Sequence, residues 1–388
     1  MSTPFSCTVK SGRIEGTFDE KFSSVVEAFE TNFHQRDELG ASVCVMIDGE
    51  AVVDLWGGMA RKDTDQKWER DTLSVVWSST KGAVSFCAHL LASRGELDID
   101  APVTNYWPEY GQNGKDATTV KMLLNHQSGI CAVSEALPAG AYANWETMTQ
   151  AIERQAPFFE PGTAHGYQAL TYGWLVGEIV RRVSGQSLGS FFRRAIGEPL
   201  DLDFWIGLPE EFEARTARMI LPEMNLEDPS PFLRAMLKRD SIQALALGNS
   251  GGYMDLNDDG IRGFDTRAAH GAEIGGAGGL ANGRGLAGLY APLACGGNLD
   301  GTEYVSPDTL ARMAAAMGRG PRGDAPWHLH AKIGGRYRFL YSCCVRSLQH
   351  RAACCHRPAR ASRRRRSWLR LQNSTSPCSR SRTFSLAC

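Results

Sequence analysis

The order of three segments near the start of the chain most constrains the fold. Apolar side chains at helical spacing predict a helix over about residues 20–36. Two apolar runs follow, 41–47 and 51–56, and the dipeptide Asp48-Gly49 between them is a strong signal for a β-hairpin turn. A second amphipathic helix begins near Trp77. This order predicts helices packed on an antiparallel sheet, and it differs from the strand-turn-helix arrangement of an α/β-hydrolase nucleophile.

Ser78 and Lys81 form a Ser-x-x-Lys motif where this second helix begins. Residues at i and i+3 lie on one helix face, so the two side chains can meet. A serine hydroxyl is almost never ionised at neutral pH, and a desolvated neutral lysine is a base that can take its proton. The unpaired N–H groups of the first helical turn favour negative charge on the Ser78 oxygen. By itself the motif also fits a helix N-cap followed by a solvated lysine.

The charge of the chain is distributed unevenly. Its 388 residues carry a formal net charge of -1, and they suffice for one large domain or two smaller ones. No acidic residue follows Asp324, whereas Lys332 and thirteen arginines do. This asymmetry predicts an acidic body with a basic tail. Neither a bilayer-spanning apolar run nor a basic-then-apolar leader is evident, so we expect a cytoplasmic protein without membrane contact.

The segments after the second helix resemble those of a known superfamily. Leu97-Asp98 and Asp100-Ala101-Pro102 are followed by Leu123-Leu124-Asn125-His126-Gln127-Ser128-Gly129. With Ser78 and Lys81, this order resembles the serine β-lactamase and penicillin-binding-protein superfamily, in particular the cytoplasmic carboxylesterases related to class C β-lactamases. In that family a Leu-Asp-x-Pro turn and a His-x-Ser-Gly segment follow the Ser-x-x-Lys helix. We interpret His126 as a structural hydrogen-bonding residue beside a turn.

The same resemblance identifies Tyr167 as a third catalytic residue. Tyr167 follows the turn Pro161-Gly162-Thr163, where the family has a Tyr-x-Asn motif, here Tyr167-Gln168-Ala169. Its implied role is to share a proton with Lys81, because two groups with high ordinary pKa values can depress one another when held together and partly desolvated. The alternative is a buried tyrosine whose hydroxyl is simply satisfied. His165 could point into the cleft, but we interpret it as a surface residue.

Three other motifs offer weaker hypotheses. The stretch 248–252 matches Gly-x-Ser-x-Gly and makes Ser250 a rival nucleophile, but no clear strand leads into it. The stretch 255–260 matches half of an EF-hand loop, yet Thr266 stands where a bidentate Glu is needed. The glycine-rich stretch 275–279 lacks the strand and spacing of a dinucleotide-binding loop. We therefore expect no metal and no cofactor.

The sequence changes character from about residue 318. In the family a third motif, Lys-Ser/Thr-Gly or His-x-Gly, lines the oxyanion hole on an edge strand, and Lys332-Ile333-Gly334 is a poor copy of it. The rest is rich in Arg, Ser and Cys, including Arg363-Arg364-Arg365-Arg366. Three interpretations stay open: a basic tail that binds nucleic acid or anionic lipid, a metal site at Cys354, Cys355 and His356, or an out-of-frame translation of GC-rich DNA, which the composition favours.

These observations define one overall expectation. The resemblance, over about residues 20–315, implies an α/β protein of the α+β type, with a β-lactamase-like antiparallel sheet flanked by helices and an inserted helical subdomain. We predict a serine hydrolase domain at 1–317, incomplete at its C-terminal end, and a basic tail at 318–388. The predicted function is a carboxylesterase acting on small short-chain esters through an acyl-enzyme on Ser78, with Lys81 and Tyr167 as the base. The alternatives are an amide or β-lactam hydrolase and an inactive scaffold. No nucleic-acid partner is expected unless the tail is genuine, and the oligomeric state stays open.

Overall fold

The computed structural model describes residues 2–221, 228–229, 234, 237–238 and 241–314, together with the backbone of two short strands, Ala331–Ile333 and Arg336–Arg338. Lys332 and Ile333 lie in the first of these strands, while their side chains and Gly334 are outside the described residues. The rest of the predicted tail at 318–388 is also outside them.

An antiparallel sheet is built from strands β1 (Thr3–Val9), β2 (Gly12–Phe18), β3 (Gly40–Ile47) and β4 (Glu50–Arg61). The strands are ordered β1-β2-β4-β3, and the short strand β5 (Gln66–Lys67) also pairs with β4. Ile47 pairs with Glu50 around the predicted turn, where Asp48 and Gly49 have φ values of 52° and 85°. Positive φ at both central residues is what a type I′ hairpin turn requires. The predicted hairpin is therefore confirmed.

Helix α1 (Ser23–Gln35) covers one face of this sheet. Its buried side chains Val26, Phe29 and Phe33 pack with Ile14 of β2 and with Val53 and Leu55 of β4. A short 3₁₀ turn, Glu20–Phe22, precedes the helix and is capped by Asp19. The apolar spacing at 20–36 thus predicted this helix to within a few residues.

A mostly helical region follows the sheet, and two helices form its centre. Helices α2 (Thr80–Ser93) and α5 (Thr171–Ser184) contact each other and are buried along most of their length. Between them lie α3 (Val120–Leu124) and α4 (Trp145–Arg154), and after them come α6 (Leu188–Phe192), α7 (Ile242–Gly248), α8 (Arg267–Gly271), α9 (Gly283–Ala294) and α10 (Pro307–Ala314).

A second, smaller antiparallel sheet joins distant parts of the chain. Strand β8 (Leu280–Ala281) lies between β6 (Ser74–Val75) and β7 (Phe204–Trp205). It brings the glycine-rich stretch before β8 next to the start of α2, because Val76 donates a backbone hydrogen bond to Gly279 O over 2.9 Å. A short hairpin of β9 (Asn298–Leu299) and β10 (Thr302–Glu303) precedes α10.

The predicted fold class is confirmed by this arrangement. Antiparallel strands and helices are mixed, and the helices from α2 to α6 form an insertion between β6 and β7. Within the part of the chain that the structure describes, no helix has both the length and the apolar composition that crossing a membrane requires.

Candidate active site

Ser78 lies in a strained turn at the start of α2. The 3₁₀ turn Trp77–Ser79 leads directly into the helix, and Trp77 has a φ of 47° in the left-handed region. A bulky residue occupies that region at a cost of order 1–3 kcal/mol, which the surrounding packing must offset. The indole of Trp77 packs edge-on against Phe264, with ring centroids 4.7 Å apart. This contact fixes the backbone immediately before Ser78.

The structure brings Ser78, Lys81 and Tyr167 together. Tyr167 donates a hydrogen bond from its hydroxyl to Ser78 Oγ over 2.7 Å. The ammonium nitrogen of Lys81 lies 3.3 Å from the same Oγ. One serine oxygen is therefore within hydrogen-bond reach of two groups that can exchange protons with it.

Lys81 is almost completely removed from water, with 6% of its surface exposed. Its Nζ also lies 2.8 Å from the carbonyl oxygen of Ala169 and 2.6 Å from that of Gly276. Burial lowers the pKa of Lys81 below its ordinary value, and the interaction with Tyr167 partly opposes this shift. Desolvation disfavours the charged form of a lysine, so the neutral amine becomes more accessible.

The two carbonyl groups give the neutral amine a direction. A neutral amine has two N–H bonds and one lone pair, and a carbonyl oxygen can only accept. If both N–H groups donate to Ala169 O and Gly276 O, the lone pair is left for the proton of Ser78 Oγ. The geometry thus suits Lys81 as the group that deprotonates Ser78.

Glycines allow the Gly276 carbonyl to reach Lys81. A Cβ at Gly276 would lie 2.5 Å from Leu170 O, and one at Gly173 would overlap Gly276 N. The stretch at 275–279 therefore packs directly on the beginning of α5. The sequence excluded a dinucleotide loop here but offered no signal for this carbonyl, since a backbone acceptor leaves no trace in residue type.

His126 and Ser128 hold the residue that follows Tyr167. His126 Nδ1 lies 2.8 Å from Gln168 Oε1 and 3.3 Å from the backbone nitrogen of Gln168, and Gln168 Nε2 donates to Ser128 Oγ over 3.1 Å. Both contacts of this ring nitrogen are with Gln168, whichever tautomer is present. The rings of His126 and Tyr167 have centroids 4.9 Å apart. Gln168 was not singled out from the sequence, although its place beside Tyr167 was the available clue.

The charge state of His126 also follows from its surroundings. Burial, and then the positive charge of Lys81, lower the pKa of His126 to about 3. The ring is therefore neutral at physiological pH, and its polar contact is used to hold Gln168. This agrees with a structural role for the His-x-Ser-Gly segment.

Two of the other sequence hypotheses are settled by burial. Ser250 is 3% exposed, follows helix α7 and accepts a hydrogen bond from Met254 N, so the strand-turn-helix of a nucleophile elbow is not formed around it. His165 is buried, and its interpretation as a surface residue is wrong. The reason is the turn that carries it: Gly166 N donates to His126 O over 2.9 Å and folds this turn inward.

A cavity of about 470 Å³ lies elsewhere, against β3 and α9. Arg70, Arg193 and Arg284 line it, and none of Ser78, Lys81 and Tyr167 does. Asp54 already pairs with Arg70 and Arg284, and Arg193 stacks on Trp205. The 470 Å³ cavity is therefore separate from the three residues that can exchange protons. The cluster of Ser78, Lys81 and Tyr167 is the candidate active site.

The chain is similar to known proteins over most of its length. The family described as Beta-lactamase matches residues 22–334. Esterase/beta-lactamase LipL of Mycobacterium tuberculosis is 33% identical over 309 residues, which cover 77% of this chain and 68% of that protein.

Two solved structures are similar over most of the chain. A family VIII carboxylesterase has a TM-score of 0.67 and 37% identity, and the similarity covers 78% of this chain and 77% of that one. A penicillin-binding-protein homolog from Caulobacter crescentus has a TM-score of 0.67 and 35% identity, with 79% and 78% covered.

Proposed function

The chain belongs to the β-lactamase family, and on that premise we propose that it is a serine carboxylesterase that hydrolyses short-chain carboxylic esters through an acyl-enzyme on Ser78. The observation that carries the proposal is the position of Ser78 Oγ, 2.7 Å from the Tyr167 hydroxyl and 3.3 Å from Lys81 Nζ. Relatives named as esterases support ester substrates.

In the proposed acylation step, Ser78 Oγ attacks the ester carbonyl carbon as its proton moves to Lys81. The new Oγ–C bond produces a tetrahedral intermediate, and the Ser78 backbone N–H at the start of α2 stabilises its oxyanion. When the bond to the alkoxy oxygen breaks, Tyr167 donates its proton to the leaving alkoxide. The Lys81 ammonium then returns a proton to Tyr167, so the pair ends in its starting state.

Deacylation repeats these steps with water. A water molecule attacks the acyl carbon while the Lys81–Tyr167 pair accepts its proton, and Ser78 Oγ leaves and is reprotonated. The products are the carboxylic acid and the free enzyme. Each proton transfer in this scheme uses a side chain within the Ser78 cluster. The cytoplasmic location expected from the sequence stays a prediction.

β-Lactam hydrolysis is the second candidate, because one relative is named both esterase and β-lactamase. The same attack on a strained cyclic amide would give the same acyl-enzyme. Comparing turnover of a short ester with that of a cephalosporin separates the two, and we expect the ester to have the higher kcat/KM.

The test is the intact mass of the protein before and after a fluorophosphonate probe, with peptide mapping of any adduct. We expect one adduct, on Ser78, and loss of both labelling and ester turnover in Ser78→Ala. Ser250→Ala is the matched control, since that serine is buried and its oxygen already accepts a hydrogen bond from Met254 N. This control should label and turn over ester like the parent. An adduct on Ser250, or a folded protein that takes no adduct, contradicts the proposal.

A further inference from the structure

An apolar patch lies beside Tyr167. Its floor is three buried alanines, Ala132, Ala169 and Ala246, and four larger, partly exposed side chains pack against them: Phe158, Tyr167, Leu245 and Leu247. We call these seven residues the alanine patch. Leu245 and Leu247 come from α7, whereas Ala169 and Tyr167 come from the segment that leads into α5.

The alanine patch is continuous with the groups that would carry out catalysis. Tyr167 belongs to its rim and donates to Ser78 Oγ over 2.7 Å. Ala169 belongs to its floor, and the carbonyl oxygen of the same residue accepts from Lys81 over 2.8 Å. A substrate atom that reaches Ser78 therefore arrives next to partly exposed apolar side chains.

The accessibility of the two proton carriers indicates which part of an ester would lie there. Lys81 is 6% exposed, whereas Tyr167 is only partly buried. A leaving alkoxide in the cleft therefore meets the Tyr167 hydroxyl first and takes its proton from it. Since Tyr167 is part of the patch, the alkyl chain of the departing alcohol lies along the same surface.

The cavity beneath the patch is too small for an alkyl chain. Behind its floor, Ala132, Leu245 and Ala246 line a cavity of only about 10 Å³, about the volume that one water-sized sphere occupies. Trp174 and Met148 also line this cavity. An alkyl group can therefore lie on the patch but cannot pass beneath it.

We propose that the alanine patch binds the alkyl part of the alcohol of the ester substrate, and that Leu247 and Phe158 set the preference for alcohols of a few carbons. This inference rests on the esterase function proposed above and adds the side of the ester that the enzyme selects. Burying methylene groups on the patch raises kcat/KM by up to about fourfold each, the equivalent of ~0.8 kcal/mol per methylene.

The experiment uses the full chain and two series of esters, with kcat/KM measured by acid release. The first series is methyl, butyl and hexyl acetate, in which only the alcohol changes. The second is ethyl acetate, ethyl butanoate and ethyl hexanoate, in which only the acyl group changes. We expect kcat/KM to rise from methyl to butyl acetate, and Leu247→Ala to lower the butyl-to-methyl ratio by roughly three- to tenfold. In Leu247→Ala, the ratios of kcat/KM within the acyl series should stay within about twofold of those of the parent protein.

Leu200→Ala is the matched control, because Leu200 is also a partly buried leucine but lines the other cavity. It should leave both series unchanged. Phe158→Leu tests the same rim if Leu247→Ala does not fold, and it too should lower the butyl-to-methyl ratio. If the protein hydrolyses methyl acetate but its kcat/KM does not depend on the alcohol, this inference alone is overturned. It is also overturned if Leu247→Ala changes the kcat/KM ratios only in the acyl series. No hydrolysis of any ester by the folded protein overturns the esterase function itself.

Discussion

At the scale of single residues, the surroundings of Lys81 decide what Ser78 can do. An exposed lysine is protonated at neutral pH and cannot take a proton from serine. Burial lowers the pKa of Lys81, and two carbonyl oxygens occupy its N–H groups while Ser78 Oγ lies 3.3 Å away. The environment of Lys81 thus favours the neutral amine that the proposed mechanism requires.

Replacing Lys81 should remove the base and retain the fold. We expect Lys81→Met to lower kcat by about 10²- to 10⁴-fold, the usual contribution of a general base. In the parent protein, kcat/KM should rise with pH as Lys81 loses its proton, at a pKa below its ordinary value of 10.5. The measurement is a pH–rate profile for each variant, with circular dichroism to check folding.

Lys115 provides the matched control for that profile. It is also a buried lysine, its Nζ donates to the carbonyl oxygens of Glu153 and Gln155, and burial lowers its pKa to about 8. Lys115→Met should leave unchanged the pH at which kcat/KM rises. If that pH moves in Lys115→Met while the rise persists in Lys81→Met, the assignment of the rise to Lys81 is contradicted.

His126 should make the protein sensitive to acid. Its folded-state pKa of about 3 lies below the ordinary 6.5, so between these values the unfolded chain binds the extra proton and the folded chain does not. Stability is therefore lost as the pH falls from about 6.5 towards 3, by up to about 1.4 kcal/mol per pH unit.

The variant His126→Asn tests this dependence, since Asn tolerates the φ of 64° at this position. We expect the free energy of unfolding, measured by urea at pH 7, 6 and 5, to fall less steeply in the variant. His89, whose pKa burial lowers to about 4, contributes a slope of the same sign and should be unaffected. Parallel curves for variant and parent would show that His126 does not titrate in this way.

At the scale of elements, the approach of the glycine-rich stretch to α5 positions the site. Gly173 lies in the first turn of α5 and directly contacts the backbone of Gly275 and Gly276. The carbonyl of Gly276 is one of the two that hold Lys81. A side chain at this crossing would therefore move an active-site acceptor without touching Ser78.

We expect Gly173→Ala to destabilise the protein by about 1–3 kcal/mol, as overpacking of a tight contact does, and to lower kcat as well. Urea unfolding and ester turnover measure the two effects. Gly197→Ala is the control, because a Cβ there would contact Arg193 at an ordinary 3.4 Å. If Gly173→Ala is destabilised but keeps its activity, the contact between Gly173 and the glycine-rich stretch does not position the carbonyl of Gly276 at Lys81.

At the scale of the whole molecule, the question is whether the Arg-rich end of the chain belongs to the folded domain. The family match ends at residue 334, and the residues beyond carry the run Arg363-Arg364-Arg365-Arg366 and little amphipathic periodicity. The predicted boundary at 317 lies inside the family match, and the separate tail at 318–388 stays a prediction.

A chain ending at residue 334 tests whether the remainder belongs to the folded enzyme. We expect it to retain the kcat/KM and Tm of the full chain within about twofold and 2 °C, because a segment so rich in Arg and Ser has little apolar surface to bury and so adds little stability. A second variant ending at residue 317 shows whether 318–334 contributes. Loss of activity at 334 would place the tail within the functional domain.

Local patterns predicted a large part of the fold. Helix α1, the hairpin of β3 and β4, and helix α2 were all predicted, because each has apolar spacing or turn chemistry of its own. Strands β1 and β2 were missed. Their inward positions include small or polar residues such as Thr3, Cys7 and Gly16, so the apolar alternation is weak and their pairing becomes visible only in the sheet.

For the candidate site, the sequence by itself determined which side chains were predicted to carry chemistry. Ser78 and Lys81 are three residues apart on one helix, so their chain spacing was enough to pair them, whereas Tyr167 was identified by the resemblance to the family. The tertiary structure alone decided how they are used. Lys81 meets Ala169 O and Gly276 O across 88 and 195 residues, and Gln168 meets His126 across 42. Backbone acceptors and long-range contacts depend on how the chain folds back on itself, and no local pattern of residue types encodes them.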